Sequence, residues 1–451
     1  LGAGMLSGIS AQVSPLQVDT LKETKIPDQW DLQSCIDYAK EQNITIRKNR
    51  ITAASTQIDV KTAKAAMFPS LSFSTGQQVV NRPYQETSSR VSGSEIISSN
   101  SKTSYNGNYG LNASWTLYNG NKRLKTIQQE KLNNQMAELD VATSENNIQE
   151  SIAQVYIQIL YAAESVKVNE NTLQVSIAQR DRGQELLNAG SIAKSDLAQL
   201  EAQVSTDRYQ LVTAQATLED YKLQLKQLLE LDGENEMNIY LPALSDENVL
   251  APLPTKRDVY ISALSLRPEI EASKLNVEAS ELGINIAKSS YFPTISLSAG
   301  IGTNHTSGSD FTFGEQVKNG WNNSIGLSVS VPIFNNRQTK SAVQKAKLQY
   351  ETSMLSLLDE QKALYKTIES LWLDANSAQQ RYAAANEKLK STQISYELIS
   401  EQFNLGMKNT VELLTEKNNL LQAQQEQLQA KYMAILNTQL LKFYQGDQLA
   451  I

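Results

Sequence analysis

Reactive side chains do chemistry in company, and this sequence supplies few that could meet. It contains one histidine, His305, and one cysteine, Cys35. Zinc sites draw on several His and Cys ligands, and a thiol nucleophile is activated by a neighbouring base. Only a meeting of these two residues could serve the nucleophilic chemistry, and a lone cysteine forms no disulfide within the chain. Sites built from carboxylates alone remain open by residue type. Gly107, Gly110 and Gly326 are not followed by the Lys-Ser/Thr pair that opens a phosphate-binding helix, and they read as bends or interior strand positions. Cys35, beside Ile36, Ala39 and Ile44, reads as a small packed hydrophobe. His305, in Ser- and Gly-rich surroundings, reads as an exposed loop residue. No residue set points to catalysis, and no cofactor or metal is implied.

The elements that would position any site are therefore the informative part. The chain has 451 residues, 48 acidic against 41 basic, for a net charge of −7. No basic stripe of the kind that follows a phosphate backbone is present, which argues against nucleic acid as a partner. No apolar run approaches the length of a transmembrane helix, whereas the short alternating strands of a β-barrel are compatible with this composition. Residues 1–11 read as the remnant of a signal peptide ending before Gln12, which predicts export.

The chain repeats itself. Lys64 to Gly76 aligns with Lys288 to Gly300 at an offset of 224, six of thirteen positions being identical. Tyr109 to Asn119 aligns with Ile325 to Asn335 at an offset of 216, and that offset persists to Glu185–Gly190 over Glu401–Gly406. Such self-similarity marks a duplicated supersecondary unit. The repeats are read as residues 12–254 and 255–451.

Between these landmarks apolar residues recur every 3.5 positions: Ile148, Ile152, Val155, Ile159, Ala162 and Val166, then Leu364, Ile368, Leu371, Ala375, Ala378 and Tyr382. That period predicts long helices in coiled-coil contact, each about 105 Å long at the α-helical rise. Gly190 and Gly406 read as the left-handed caps of tight turns, giving helical hairpins over 121–231 and 336–445. Single helices are expected over 30–67 and 255–290. Together with the returning helices they would match the long rods end to end. Residues 232–254, rich in Pro and acidic residues, read as a small layer around the middle of the rods.

Four segments alternate with period two, 68–78, 109–118, 292–302 and 324–334, and in all four the apolar residues of the alternation, only Leu71 and Phe73 in the first, carry odd numbers. Leu111, Ala113, Trp115, Leu297, Leu327, Val329 and Val331 carry this face. The plainest reading is a half-buried antiparallel sheet packed on the helices. A transmembrane barrel fits better, because the even face is small, hydroxylic and uncharged, and aromatic residues cluster at segment ends. The connections 79–108 and 303–323 are long, as extracellular loops are. Four strands are too few to close a barrel, so an oligomer is required.

With these residues in view the chain resembles the outer-membrane efflux protein (TolC-like) family over roughly residues 30–443. The marks are Phe68-Pro69-Ser70-Leu71 and Phe292-Pro293-Thr294-Ile295, the strand ends at Trp115–Gly120 and Val331–Asn335, Arg267-Pro268-Glu269-Ile270, and the two Asn-x-Gly tips. The resemblance implies a mixed α and β fold: a homotrimer in which a 12-stranded barrel, four strands per chain, continues an α-helical coiled-coil barrel across the periplasm. It further implies passive export of small toxic molecules from an inner-membrane RND or ABC transporter through a periplasmic adaptor. Protein secretion by a type I system is the alternative cargo, and a periplasmic coiled-coil scaffold the alternative class.

Carried over by position from the turn glycines, the family's gate falls on Asp196, Phe403, Lys408 and Glu412, with Glu412 in a constriction ring. Phe403 replaces a Tyr, Lys408 an Arg and Thr415 a second acidic residue, so a latch between Asp196 and Lys408 would lack both the phenol and the guanidinium fork. Adaptor docking would fall on Asn188, Ala189, Gly190, Asn404, Leu405 and Gly406.

Overall fold

A computed structural model describes residues 27–449 apart from 85–87, 93–94, 100–101, 233–236, 243–248 and 308–310. The signal-peptide reading of residues 1–11 lies outside the described residues.

Two helices of equal length form the frame, α3 (Lys122–Asn188) and α8 (Gln338–Asn404), 67 residues each and so about 100 Å long. Each turns back into a shorter helix, α4 (Lys194–Leu228) or α9 (Thr410–Gln445). The 3.5-residue stripe is the buried one: Ile152, Ile159, Ala162, Leu364, Ile368, Ala375, Ala378 and Tyr382 are all buried.

The helices expected over 30–67 and 255–290 are each broken in two. The first comprises α1 (Leu32–Gln42) and α2 (Ile44–Ala65), the second α5 (Lys256–Leu266) and α6 (Pro268–Ser289). At the first break Asn43 leaves the helical region with ψ 127°, and its Oδ1 accepts from the N–H of Thr45 and Ile46 to start α2. At the second, Pro268 disfavours a helical conformation for Arg267, whose ψ is 124°. The breaks are equivalent in sequence, since 267 − 43 = 224, the offset of the strand starts that follow.

Both breaks receive the end of a returning helix. Asn43 Nδ2 donates to Leu228 O at 3.0 Å, and Ile44 N to Glu230 Oε1 at 3.2 Å, so α4 and α2 continue one another alongside α3. At the other break the guanidinium of Arg267 lies 3.9 Å from the ring centre of Tyr444, near the end of α9.

The core sits at this middle level. Trp30, Cys35, Ala39, Tyr156, Leu229 and Val249 belong to one buried cluster. Part of the expected middle layer is visible: Trp30 N donates to Asn238 O and Tyr240 N to Trp30 O, both at 2.8 Å. Farther along, Trp372 Nε1 donates to Pro254 O at 3.0 Å. Burial, and secondarily the charge of Asp31, pushes the Cys35 thiol up to about 12, so it stays protonated and unreactive.

The sheet has the order β1–β4–β5–β6, antiparallel throughout. Its strands are β1 (Ser70–Asn81), β4 (Thr103–Asn119), β5 (Thr294–Thr306) and β6 (Asn322–Ser330). A small hairpin, β2 (Ser88–Ser92) with β3 (Glu95–Ser99), lies in the first long connection. The second connection carries α7 (Phe313–Asn319).

The strands differ from the sequence segments at both ends. β1, β4 and β5 run farther into the connections. β6 stops at Ser330, because Pro332 has no N–H for the ladder; Val331 therefore lies past the strand end, exposed. Leu117 falls in a bulge between Thr116 and Tyr118, where an extra residue interrupts the alternation. His305 is in β5 and not in a loop: its ring contacts Tyr105, Tyr109 and Phe313 at centroid distances of 5.3, 6.0 and 5.0 Å. Opposite it, a Cβ on Gly107 would lie 2.2 Å from His305 Cε1, so the ring occupies space that only glycine leaves free.

Candidate gate, docking tips and membrane face

The two tips are built alike. Gly190 N donates to Leu187 O at 2.9 Å and Ser191 N to Leu186 O at 2.8 Å; Gly406 N donates to Phe403 O at 2.9 Å and Met407 N to Gln402 O at 2.8 Å. These pairs are Schellman caps, which satisfy the last helical carbonyls. The glycines have φ +77° and +74°, yet nothing lies within 4 Å of a Cβ built on either. Backbone conformation, not crowding, requires glycine there. Gly190→Val and Gly406→Val should each cost about 1–2 kcal/mol through the left-handed penalty. Faster amide exchange confined to the last turns of α3 and α8 would show it. Asn188, Ala189, Asn404 and Leu405 are exposed around these turns.

Beyond each tip the returning helix starts with an acidic residue at its third position. Asp196 Oδ2 accepts from Ala193 N at 3.0 Å. Glu412 Oε2 accepts from Asn409 N at 3.3 Å, while Asn409 Oδ1 accepts from Glu412 N at 2.9 Å, a full capping box. The two acids are equivalent in the repeat, since 412 − 196 = 216. Lys408 lies 2.5 Å from Glu412 Oε1. The bond from Lys408, then that from Asn409 N–H, holds the Glu412 carboxyl below the usual carboxylate range. Within one chain the lysine thus meets Glu412, and the Asp196 carboxylate is engaged by its own helix start. Phe403 is buried, 3% exposed, so it packs where a Tyr could have bonded.

At the opposite end the register decides which residues share a face. Phe73 pairs with Leu111 and Leu111 with Ile301; Trp115 pairs with Leu297 and Leu297 with Leu327; Ala113 with Ala299 and Ile295 with Val329 complete the band. Odd meets odd across the four strands above the bulge, so the apolar residues form one continuous surface. Of these, Leu111, Trp115, Leu327 and Val329 are exposed, Leu327 at 65%, while Ala113 and Leu297 are half-buried. Among the described residues none of the long helices packs across this sheet, so the reading of a sheet buried against the helices fails. The even face bonds to its own ladder, with Ser298 Oγ donating to Gly326 O at 3.3 Å and Ser324 Oγ to Gly300 O at 3.4 Å. No described helix is long and apolar enough to cross a membrane.

Sequence reasoning missed two buried charge clusters. Arg267 is ion-paired to Glu150 at 2.8 Å and to Glu269 at 2.9 Å. Lys417 is paired with Asp207 and bonded to Ser176, all three at most 3% exposed. A signal existed: Asp207 continues the spacing Leu200, Val204, Asp207, Leu211, and Lys417 lies between Leu413 and Leu420, each a charge at a seam position.

The model of the outer membrane efflux protein family matches residues 35–230 and 259–446. The chain belongs to the outer membrane efflux protein family. Family membership places it in the outer membrane. It is 24% identical to the outer membrane efflux protein BepC of Brucella suis biovar 1 over 65% of this chain and 61% of that protein. It is also 24% identical to the outer membrane protein TolC of Escherichia coli K12, over 63% of this chain and 58% of that one. The match spans about three fifths of the length of these relatives. In structure the chain resembles the outer-membrane protein VceC of Vibrio cholerae, with TM-score 0.75 and 16% identity, covering 93% of this chain and 97% of that. Its likeness to CusC has TM-score 0.78 and 18% identity, covering 94% and 96%. At these identities the likeness is one of fold, long helices with a small sheet at one end.

Proposed function

We propose that this chain is the outer-membrane exit channel of a tripartite export system. It would work as a homotrimer and passively release small toxic molecules that an inner-membrane RND or ABC transporter delivers through a periplasmic adaptor. The observation that carries this reading is the uncovered apolar sheet face at the end of rods about 100 Å long. Such a face suits lipid, and an open sheet suits closure by other copies.

Strand directions support that closure. β1 and β6 are the free edges and run in opposite senses, so β6 of one copy meets β1 of the next antiparallel, and three copies make twelve strands. The odd residues then face lipid and the Ser, Asn and Gly positions line the lumen, as in membrane barrels. The rods would form a tunnel through the periplasm, with the exposed tips offered to the adaptor. The names of relatives favour export in general and leave the cargo class open: a toxin and drug export protein of Aggregatibacter actinomycetemcomitans is among them, as is the alkaline protease secretion protein AprF of Pseudomonas aeruginosa.

The native mass after mild detergent extraction, corrected for detergent, tests assembly. A particle of three chains supports the channel, and a single chain released without detergent rejects it. At the tips, Glu412 from three copies would form a ring whose charge Lys408 partly offsets. Glu412→Ala is expected to weaken block by divalent cations severalfold in planar-bilayer recordings, and Lys408→Ala to strengthen it. Identical block in all three proteins would remove Glu412 from the constriction.

A further inference from the structure

The Lys417 cluster buries a full charge between the two helical hairpins, nearer the tips than the Arg267 cluster at the middle level. It pairs α4 with α9, and neutral side chains also link the hairpins, Ser165 to Gln425, Gln179 to Tyr396 and Gln203 to Asn418. Lys417 Nζ donates to Asp207 Oδ2 on α4 and to Ser176 Oγ on α3, and Ser176 Oγ donates to the same carboxylate oxygen. Asp207 Oδ1 accepts from Gln203 Nε2 at 2.9 Å. Both carboxylate oxygens are therefore satisfied, by groups from three helices.

Burying these charges carries a desolvation penalty that a hydrophobic trio of similar volume would not. Burial is also what draws the Lys417 ammonium below its usual range, against the bond and charge of Asp207. What such a cluster adds is selectivity among alignments. Apolar seam residues repeat every 3.5 positions, so a hairpin that slides along its neighbour meets further apolar residues and loses little. A lone buried lysine has one carboxylate to meet, and sliding leaves both charges unpaired.

We propose that Lys417, Asp207 and Ser176 form a register lock that holds the two hairpins of each chain in a single axial alignment behind the tips. Counting residues from the turn glycines, Lys417 is 417 − 406 = 11 positions past one tip and Asp207 is 207 − 190 = 17 past the other. The lock thus sits roughly 16–25 Å from the tips, close enough that a slip there moves the tips in full. These are positioning residues: they touch no cargo, and they set where Glu412 and the docking turns stand. The consequence for export rests on the channel reading, whereas the alignment itself does not.

The test separates the two. Single cysteines at Asn188 and Asn404 in the full-length protein, with Cys35 buried and unreactive, take spin labels, and labelled chains are diluted with unlabelled ones. The wild type should give one narrow tip-to-tip distance. Asp207→Leu/Lys417→Met removes the charges but keeps an apolar seam. It should assemble at normal yield yet broaden or shift the distance by about one helical turn, roughly 5 Å. The reversed pair Asp207→Lys/Lys417→Asp should restore the narrow distribution. A narrow, unshifted distance in the apolar double variant would overturn the lock and leave the cluster a stability feature alone. If that variant does not assemble, Asp207→Asn, which keeps the shape and a hydrogen bond but loses the charge, gives the same reading: a wild-type distance overturns the proposal. Failure of the wild type to form pores in planar bilayers would count against the channel, not against the lock.

Discussion

Arg267→Ala is expected to destabilise the folded chain by about 3 kcal/mol or more, because removing one member of a buried ion cluster strands the others. Arg267 is 6% exposed and holds Glu150 on α3 and Glu269 on α6, while its guanidinium lies 3.9 Å from the ring centre of Tyr444 and 5.5 Å from that of Phe443. One planar group thus joins a long rod, the start of α6 and the end of α9. It also places a cation beside the C-terminal end of α9, where the helix dipole favours it. Glu150 and Glu269 keep some contact with water, at 19% and 22% exposure, which sets the expectation toward the lower end of the range for broken buried pairs. Arg267→Lys should recover less than half of the loss, since an ammonium can neither reach two carboxylates in a fork nor stack on a ring as a guanidinium does. Denaturant midpoints of the detergent-solubilised protein, at constant slope, would measure both. Equal midpoints for wild type and Arg267→Ala would mean that the stack and the ion pairs contribute nothing net.

The second large effect concerns the sheet. Leu327→Arg should cost about 2–4 kcal/mol if the position lies near the bilayer midplane, and less if it lies near an interface. Leu327 is opposite Leu297, within the apolar band, and 65% exposed in the single chain. Its neighbour Ser328 faces the other way, so Ser328→Arg makes the matched control. The yield of heat-dissociable oligomer in outer membranes should fall sharply for Leu327→Arg and stay near wild type for Ser328→Arg, which would alter conductance instead. The reverse pattern would put the odd face inside and reject the assigned orientation.

Periodicity by itself determined the long rods, the turns at Gly190 and Gly406, and the alternating strands. A 3.5-residue stripe, a left-handed glycine and a two-residue alternation act over a few neighbours, and those neighbours are written in order. Proline at 268 belonged to this class too, and the break at Arg267 could have been read from it. The break at Asn43 carries no proline; it is made by a side chain that caps α2 and bonds to Leu228, 185 positions away. Tertiary structure alone decided which distant partners meet: β4 with β5 across the two repeats, Arg267 with Glu150 and Tyr444, and Lys417 with Asp207. A heptad stripe states that a helix has a seam but not how far along its partner it lies. That axial position follows from the sum of contacts along two rods of about 100 Å, so a charge at a seam position acquires its meaning only once the rods are set side by side.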